Sequence, residues 1–167
     1  NFELDTMKKY LDTWSKKFDL EYGGAEGMPK FMMPSNLHFL LKYSYQTSNI
    51  EIQDFVNLSL KKMAFGGIYD QIGGGFSRYS VDNKWHIPHF EKMLYDNAQL
   101  VSLYSDAYKA TKNELYKKIV YETIDFINLE LKDESGGYYS SLDADSKTSD
   151  NVLEEGAFYV WTEKELK

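Results

Sequence analysis

The stretch GGIYDQIGGGFSRYSVDNKWHIPHFEKMLYDN, residues 66–97, lies between two segments with helical periodicity and dominates the interpretation of this chain. It holds five glycines, two of the three histidines and one arginine. The three consecutive glycines do not have the G-x-G-x-x-G spacing of a dinucleotide-binding loop, and no G-K-[ST] phosphate loop is present. Glycine lets backbone segments approach closely, so a tight hairpin is favoured. The stretch therefore predicts an elaborate polar loop rather than a phosphate site.

Apolar residues recur at three- and four-residue steps and predict five helices along the 167 residues. The predicted helices span residues 5–18, a segment from Pro34, and residues 51–65, 88–110 and 113–131. The fourth helix is predicted to begin at Pro88, because proline is favourable at the first helical position. Thr162 and Glu165 have capping-box spacing and predict the beginning of a sixth helix.

A double glycine beside an aromatic residue follows three of these helices, at residues 22–24, 66–69 and 136–139. Glycine at such a position is predicted to end the helix in a left-handed conformation. Repeated units of helix, loop and helix close into a ring or stack into a solenoid. The spacing therefore predicts an all-α fold whose three glycine loops, with short hairpins, lie at the same end.

Composition excludes several classes of function. A net charge of −7 argues against a nucleic-acid partner, which requires a basic surface. The absence of cysteine excludes disulfides, thiolate nucleophiles and zinc–thiolate sites. No apolar run is long enough to cross a membrane, so we expect no membrane partner. A cytoplasmic location is a separate expectation. Fourteen tyrosines suit walls that are partly wet, where a ring packs and a hydroxyl reaches a ligand.

His86 and His89 are candidates for chemistry in the central loop. Their spacing suggests a metal, but Pro88 forces Ile87 towards extended geometry, so the two rings need not share a face. No third ligand stands at a recognisable spacing, and we predict acid–base or hydrogen-bonding work rather than metal binding. The alternative that either histidine only satisfies local packing is equally open.

Three further polar side chains lie in this region, and two of them have two interpretations each. Asn97 falls in the apolar stripe of the fourth helix and needs a polar partner, either internal or bound. Arg78 stands among aromatic residues, where a guanidinium holds a carboxylate or phosphate, or stacks on its neighbours. Glu91 is expected in the first helical turn, where it complements the helix dipole.

The sequence resembles the spermatogenesis-associated, thioredoxin-domain-containing family in motifs that extend over nearly the whole chain. These are FDLEYGGAEGMPKFMMPSNLHFLL at 18–41, residues 66–100, GGYYSSLDADS at 136–146 and EEGAFYVW at 154–161. The resemblance implies an (α/α)6 toroid of the six-hairpin glycosidase type, similar to N-acylglucosamine 2-epimerase and cellobiose epimerase. It also implies an N-terminal thioredoxin-like domain. Residues 1–167 are accordingly interpreted as part of the toroid, with the thioredoxin-like domain and the remaining helices outside them.

By analogy with such toroids, the glycine loops would line a funnel for a small carbohydrate. An epimerase would use His89 first as its proton-transfer group, whereas a hydrolase would use two carboxylates, for which Asp70 and Asp143 are candidates. The full set of candidates is His89, His86, Asp70 and Asp143 for catalysis, and Tyr22, Tyr69, Arg78, Tyr79, Trp85 and Asn97 for binding.

We expect no metal ion or other cofactor in this segment. We also expect it to be inactive by itself and to self-associate through apolar flanks of its end helices. The alternative function is a non-catalytic scaffold, or a protein-binding partner for the thioredoxin-like domain.

Overall fold

The computed structural model describes residues 4–148 and 150–167, with five helices as its frame. The helices are α1 (Leu4–Trp14), α2 (Pro34–Thr47), α3 (Ile50–Phe65), α4 (Leu94–Thr111) and α5 (Glu114–Phe126). A 3-10 turn, Ser15–Lys17, extends α1, and a π-helical turn, Ile127–Leu131, extends α5. All five predicted helices are therefore present, and four of them begin within one residue of the predicted position.

Short strands lie in the loops between the helices. They are β1 (Lys30–Phe31), β2 (Tyr79–Ser80), β3 (Pro88–His89), β4 (Lys92–Met93), β5 (Ser141–Leu142), β6 (Asp145–Lys147) and β7 (Leu153–Glu155). The order β1-β2-β3 forms one antiparallel sheet, and β4 with β5 and β6 with β7 form two more pairs. Because β1 joins the first loop to the second and β4 joins the second to the third, the three glycine loops lie at the same end, as predicted.

The predicted start of α4 at Pro88 is wrong. Residues Pro88–His89 pair with β2, and Lys92–Met93 pair with β5, so the chain stays extended until Leu94. The Leu94 amide then donates to the Ser140 carbonyl at 2.9 Å, which supplies a partner for a free N–H at the helix start. The proline is compatible with a strand as well as with a helix start, and cross-strand pairing decided between them.

Helix directions follow from the loop positions. Both α2 and α4 begin at the loop end, so they run in the same direction and pack against each other, while α3 packs on α2 and α5 on α4. The core between these layers is apolar and includes Leu37, Leu40, Leu41, Val56, Leu60, Met63, Leu100, Leu103, Tyr104 and Tyr116. The remaining faces of α2 and α4, away from α3 and α5, form what we call the inner wall.

Glycine at the end of α3 serves close approach rather than a left-handed cap. Gly66 has φ −80°, which any residue adopts, so the predicted left-handed conformation is wrong here. A Cβ at Gly66 would lie 2.6 Å from the Trp85 carbonyl oxygen, and one at Gly67 would collide with the His86 carbonyl. The chain of the 66–97 loop therefore folds back directly onto the end of α3.

Within the described residues, no helix is both long and apolar enough to cross a lipid bilayer. Thr162 and Glu165 make the reciprocal hydrogen bonds of a capping box, and residues 163–166 form turns.

Candidate functional site

The β2–β3 hairpin positions two of the predicted site residues side by side. Tyr79 is paired with His89 across the strands, and their rings stack at 4.8 Å with 18° between the planes. Asp82 holds the turn, because its carboxylate accepts hydrogen bonds from the amides of Lys84 and Ile87 at 2.5 and 2.6 Å. Burial alone would raise the pKa of Asp82, but these hydrogen bonds outweigh it and leave the pKa below its usual value.

His89 lies between two carboxylates. Its Nδ1 is 2.7 Å from Glu155 Oε1, and its Nε2 is 3.8 Å from Glu91 Oε2. Glu91 also pairs with Arg78, whose Nη1 is 2.9 Å from the same oxygen. We call Arg78, Tyr79, His89, Glu91 and Glu155 the hairpin cluster. Its side chains are partly open to solvent, with 25% of His89 and 44% of Arg78 exposed.

Asp96 stands beside the hairpin cluster in the first turn of α4. Burial raises the pKa of Asp96 to about 6, since the attraction of Arg78 is opposed by the negative charge of Glu91. This carboxyl group therefore changes its charge close to neutral pH. An acid with a perturbed pKa that is close to the charges of Arg78 and Glu91 is typical of a functional site.

A cleft of about 550 Å³ lies between the second and third glycine loops and contains Asp70 and Asp143. The walls come from Ile72, Phe126, Leu142, Phe158, Tyr159 and Trp161. Both carboxylate oxygens of Asp70 have partners. One accepts hydrogen bonds from the amides of Ile72 and Gly73, and the other is 2.8 Å from Lys92 Nζ. Asp143 is exposed, and its carboxylate accepts the Asp145 amide at 3.1 Å.

The pKa shifts of Asp70 and Lys92 follow from burial and from their hydrogen bonds. Burial would raise the pKa of Asp70, but the hydrogen bond from Lys92 and those from the loop amides outweigh it and lower the pKa. The Lys92 side chain is only 3% exposed, and burial lowers its pKa despite the partner. Lys92 also donates to the Gly74 carbonyl at 2.8 Å, so the pair binds the glycine loop to β4.

Three other predicted binding residues are buried and satisfied within the protein. Trp85 is fully buried, and its indole N–H donates to the Tyr22 carbonyl at 2.8 Å. Asn97 is fully buried and bonds the amide and the carbonyl of Phe76 at 2.7 and 3.0 Å. Tyr69 is 3% exposed and donates to Glu122 at 2.6 Å. These contacts hold the loop together, and a binding role for the three side chains stays a prediction.

Tyr22 and His86 lie apart from both sites. The Tyr22 ring is half-buried with the ammonium groups of Lys62 and Lys84 over it, at 5.1 and 5.4 Å from the ring centre. His86 is exposed, in the turn of the β2–β3 hairpin. The ten predicted site residues therefore separate into the hairpin cluster, the cleft, the loop interior and these two surface positions.

Sequence reasoning missed the partners of His89. Glu155 is 66 residues away and comes to the cluster on β7, so no local pattern indicates it. Glu91 was expected in a helical turn and instead lies between two strands, paired with Arg78. One signal was available for Glu91, since it is the acidic residue nearest to His89 along the chain. In the ranges 4–148 and 150–167, no three His, Asp or Glu side chains are grouped as metal ligands.

Comparison with solved structures defines the class of fold. The chain superposes on cellobiose 2-epimerase from Bacillus thermoamylovorans with a TM-score of 0.69 and 16% identity, covering 90% of this chain and 45% of that one. It superposes on an unsaturated glucuronyl hydrolase specific for heparin with a TM-score of 0.66 and 13% identity, covering 83% and 42%. The predicted fold is confirmed: the chain has the helical-hairpin architecture of (α/α)6 toroids, in the form found in sugar epimerases and glycosidases.

Comparison with protein sequences confirms the resemblance. The chain is 45% identical over 157 residues to spermatogenesis-associated protein 20 of Mus musculus, covering 90% of this chain. The chain spans 20% of the length of that relative. No family model matches the chain. The chain is therefore homologous to a segment of spermatogenesis-associated protein 20, the thioredoxin-domain family that its motifs indicate.

Proposed function

We propose that the hairpin cluster binds a reducing sugar and that His89 moves a proton in its epimerisation or isomerisation. The observation that carries this proposal is the placement of His89 between Glu155 and Glu91, partly open to solvent at the loop end. Imidazole held by a carboxylate is a common general base, because the carboxylate fixes the tautomer and orients the ring. The similarity of the fold to sugar epimerases supports the choice of substrate class.

The proposed step follows from the two ring nitrogens. With Nδ1–H donating to Glu155, Nε2 of His89 carries the lone pair and accepts the proton from the carbon next to the sugar carbonyl. The C–H electrons form a carbon–carbon double bond, and negative charge moves to the carbonyl oxygen. Glu91, at 3.8 Å, then stabilises the imidazolium, and the guanidinium of Arg78 stabilises the enediolate. An acid on the opposite face of the sugar returns a proton and completes the inversion.

Hydrolysis by Asp70 and Asp143 is less well supported. A glycosidase acid must be protonated at neutral pH, which requires a raised pKa. The hydrogen bonds to Asp70 lower its pKa instead, and its salt bridge with Lys92 engages the oxygen that would act. A carboxyl group in this state is suited to holding the loop, which leaves the hairpin cluster as the better candidate for chemistry.

The test is binding followed by isotope exchange. Titration calorimetry with glucose and mannose is expected to give binding by the wild type and at least tenfold weaker binding by His89→Gln. His86→Gln is the matched control, because His86 is exposed outside both sites, and it is expected to bind like the wild type. In D₂O, a protein of this family that contains the whole toroid should exchange the C2 hydrogen of a bound aldose. Equal binding by the wild type and both variants would contradict the proposal.

A scaffold function for a thioredoxin-like domain is the second candidate. It is favoured by the loop interior, where Trp85, Asn97, Tyr69 and Asp70 are all satisfied by contacts within the protein. Under this alternative no sugar binds, and the isolated thioredoxin-like domain of the family binds the chain in the same calorimeter. His89→Gln then leaves that binding unchanged.

A further inference from the structure

The third histidine lies on the inner wall, away from the hairpin cluster. His38 on α2 is bonded to Asp106 on α4, with 2.7 Å between Nε2 and Oδ2. Asp106 lies ten residues beyond Asp96, which is about 15 Å further along the helix axis from the loop end. The pair is partly open, with 22% of the His38 side chain and 30% of the Asp106 side chain exposed.

The charges around the pair determine which ring nitrogen of His38 carries the proton. Hydrogen bonds from His38 and from Lys109, at 3.0 Å, lower the pKa of Asp106, so the carboxylate stays ionised at neutral pH. Lys42 Nζ is 3.9 Å from the same carboxylate. An ionised Asp106 requires Nε2 of His38 to be the donor, which leaves Nδ1 as an acceptor in the neutral ring. In the part of the chain that the structure describes, Nδ1 has no hydrogen-bond partner.

A cavity of about 350 Å³ opens beside this pair on the inner wall. Its lining combines hydroxyl, amide, imidazole and ammonium groups with one partly exposed aromatic ring, from Ser35, His38, Phe39, Lys42, Gln99 and Ser102. Donors and acceptors are mixed, which favours a ligand with many hydroxyl groups. The volume is within the range of small-molecule sites.

We infer that this cavity is a second sugar subsite, in which His38 held by Asp106 contacts a sugar ring. The inference rests on the proposed carbohydrate function of the hairpin cluster, and it specifies the minimum length of the carbohydrate ligand. Because His38 contacts Asp106, which lies about 15 Å along α4 from Asp96 at the border of the hairpin cluster, one sugar ring beside Asp96 does not also contact His38. The ligand that fills the site therefore contains at least two rings, one at the hairpin cluster and one on the inner wall.

The three histidines make this inference directly measurable, since each reports on a different position. Proton–carbon NMR of the imidazole rings follows His89 at the hairpin cluster, His38 on the inner wall and His86 on the exposed hairpin. Titration with cellobiose is expected to shift the signals of His89 and His38 and to leave His86 unchanged. Titration with glucose is expected to shift His89 alone.

The outcomes separate this inference from the function on which it rests. A cellobiose shift at His89 without one at His38 overturns the second subsite and leaves the proposed function intact. No shift at either histidine overturns both, and a glucose shift at both overturns the two-ring length. As a second measurement, His38→Gln is expected to weaken cellobiose binding about fivefold, the loss of one hydrogen bond, with glucose binding unchanged. His86→Gln is the control.

Discussion

The loop of residues 66–97 has an interior and an outer hairpin, and the two differ in what surrounds their polar groups. In the interior, Lys92 is 3% exposed and its ammonium is bound by a carboxylate and a carbonyl. On the hairpin, Arg78 is 44% exposed and makes one ion pair beside a histidine. Polar side chains of one continuous segment therefore do two kinds of work: the interior ones stabilise the loop, and the hairpin ones remain accessible.

A high density of polar residues in a loop therefore does not by itself identify a functional site. Burial without a partner costs a polar group about 1–3 kcal/mol, so a glycine-rich loop that packs on helices needs internal partners. Asn97 and Asp70 supply them. The side chains available for function are those that neighbours hold in place and that keep polar atoms accessible to solvent. His89 is the clearest example.

The largest destabilisation of the loop interior is expected when the buried ammonium of Lys92 loses its carboxylate partner. Asp70→Asn is expected to lower the free energy of unfolding by about 3 kcal/mol, because the Lys92 ammonium would remain buried without a counter-charge. Urea denaturation at pH 7 measures this, with Asp125→Asn on the exposed face of α5 as the control.

The same variant has a pH signature. The pKa of Asp70 is below its unfolded value, so its contribution is present above about pH 4 and is lost as the pH falls through the lower, folded value. Asp70→Asn is therefore expected to lose less stability than the wild type between pH 4 and pH 2. Parallel acid curves would show that the salt bridge does not stabilise the loop.

Asn97→Ala is expected to cost about 2–3 kcal/mol, because the buried amide and carbonyl of Phe76 both lose their partner. Thermal unfolding should show a melting temperature lower by about 5–10 °C. Asn128→Ala, at an exposed position with one side-chain contact, is the comparison and should change it by less than about 2 °C. Equal shifts in the two variants would remove the distinction between interior and surface.

Asp96 belongs to the border between the two regions, and its removal is expected to stabilise the protein. Its folded pKa of about 6 is above the usual value, so the folded state binds more protons between about pH 4 and pH 6. Stability therefore falls as the pH rises through that window, and the full cost is present above it. Asp96→Asn should add about 1 kcal/mol at pH 8, after allowance for solvent screening, and almost nothing at pH 4. A gain that is equal at both pH values would contradict this.

Arg78→Ala is expected to have the smallest effect on folding, because its ion pair is exposed to solvent. It should nevertheless weaken sugar binding if the hairpin cluster is the site. The two measurements on one variant sharpen the comparison, since an interior residue would lose stability and binding together. A large loss of stability would instead place Arg78 with the interior.

Helices were predictable because their signal is local. The spacing of apolar residues located α2, α3 and α5 closely, and Asn49 and Asn113 cap α3 and α5 by accepting the amides of Ile52 and Leu115. The start of α4 was not predictable from the same signal. Pro88 is compatible with both a strand and a helix, and the pairing of β3 with β2 decided it.

The amino-acid sequence by itself determined the helical class, the repeat of glycine loops and the family resemblance, because each is written in short-range periodicity or in contiguous motifs. Only the tertiary structure decided which polar residues are accessible to solvent. Trp85 and His86 are adjacent in the chain, yet one is fully buried and the other exposed. Glu155 reaches His89, and Asp106 reaches His38, across 66 and 68 residues. Burial and such contacts depend on how distant segments pack, which no local pattern of residues specifies.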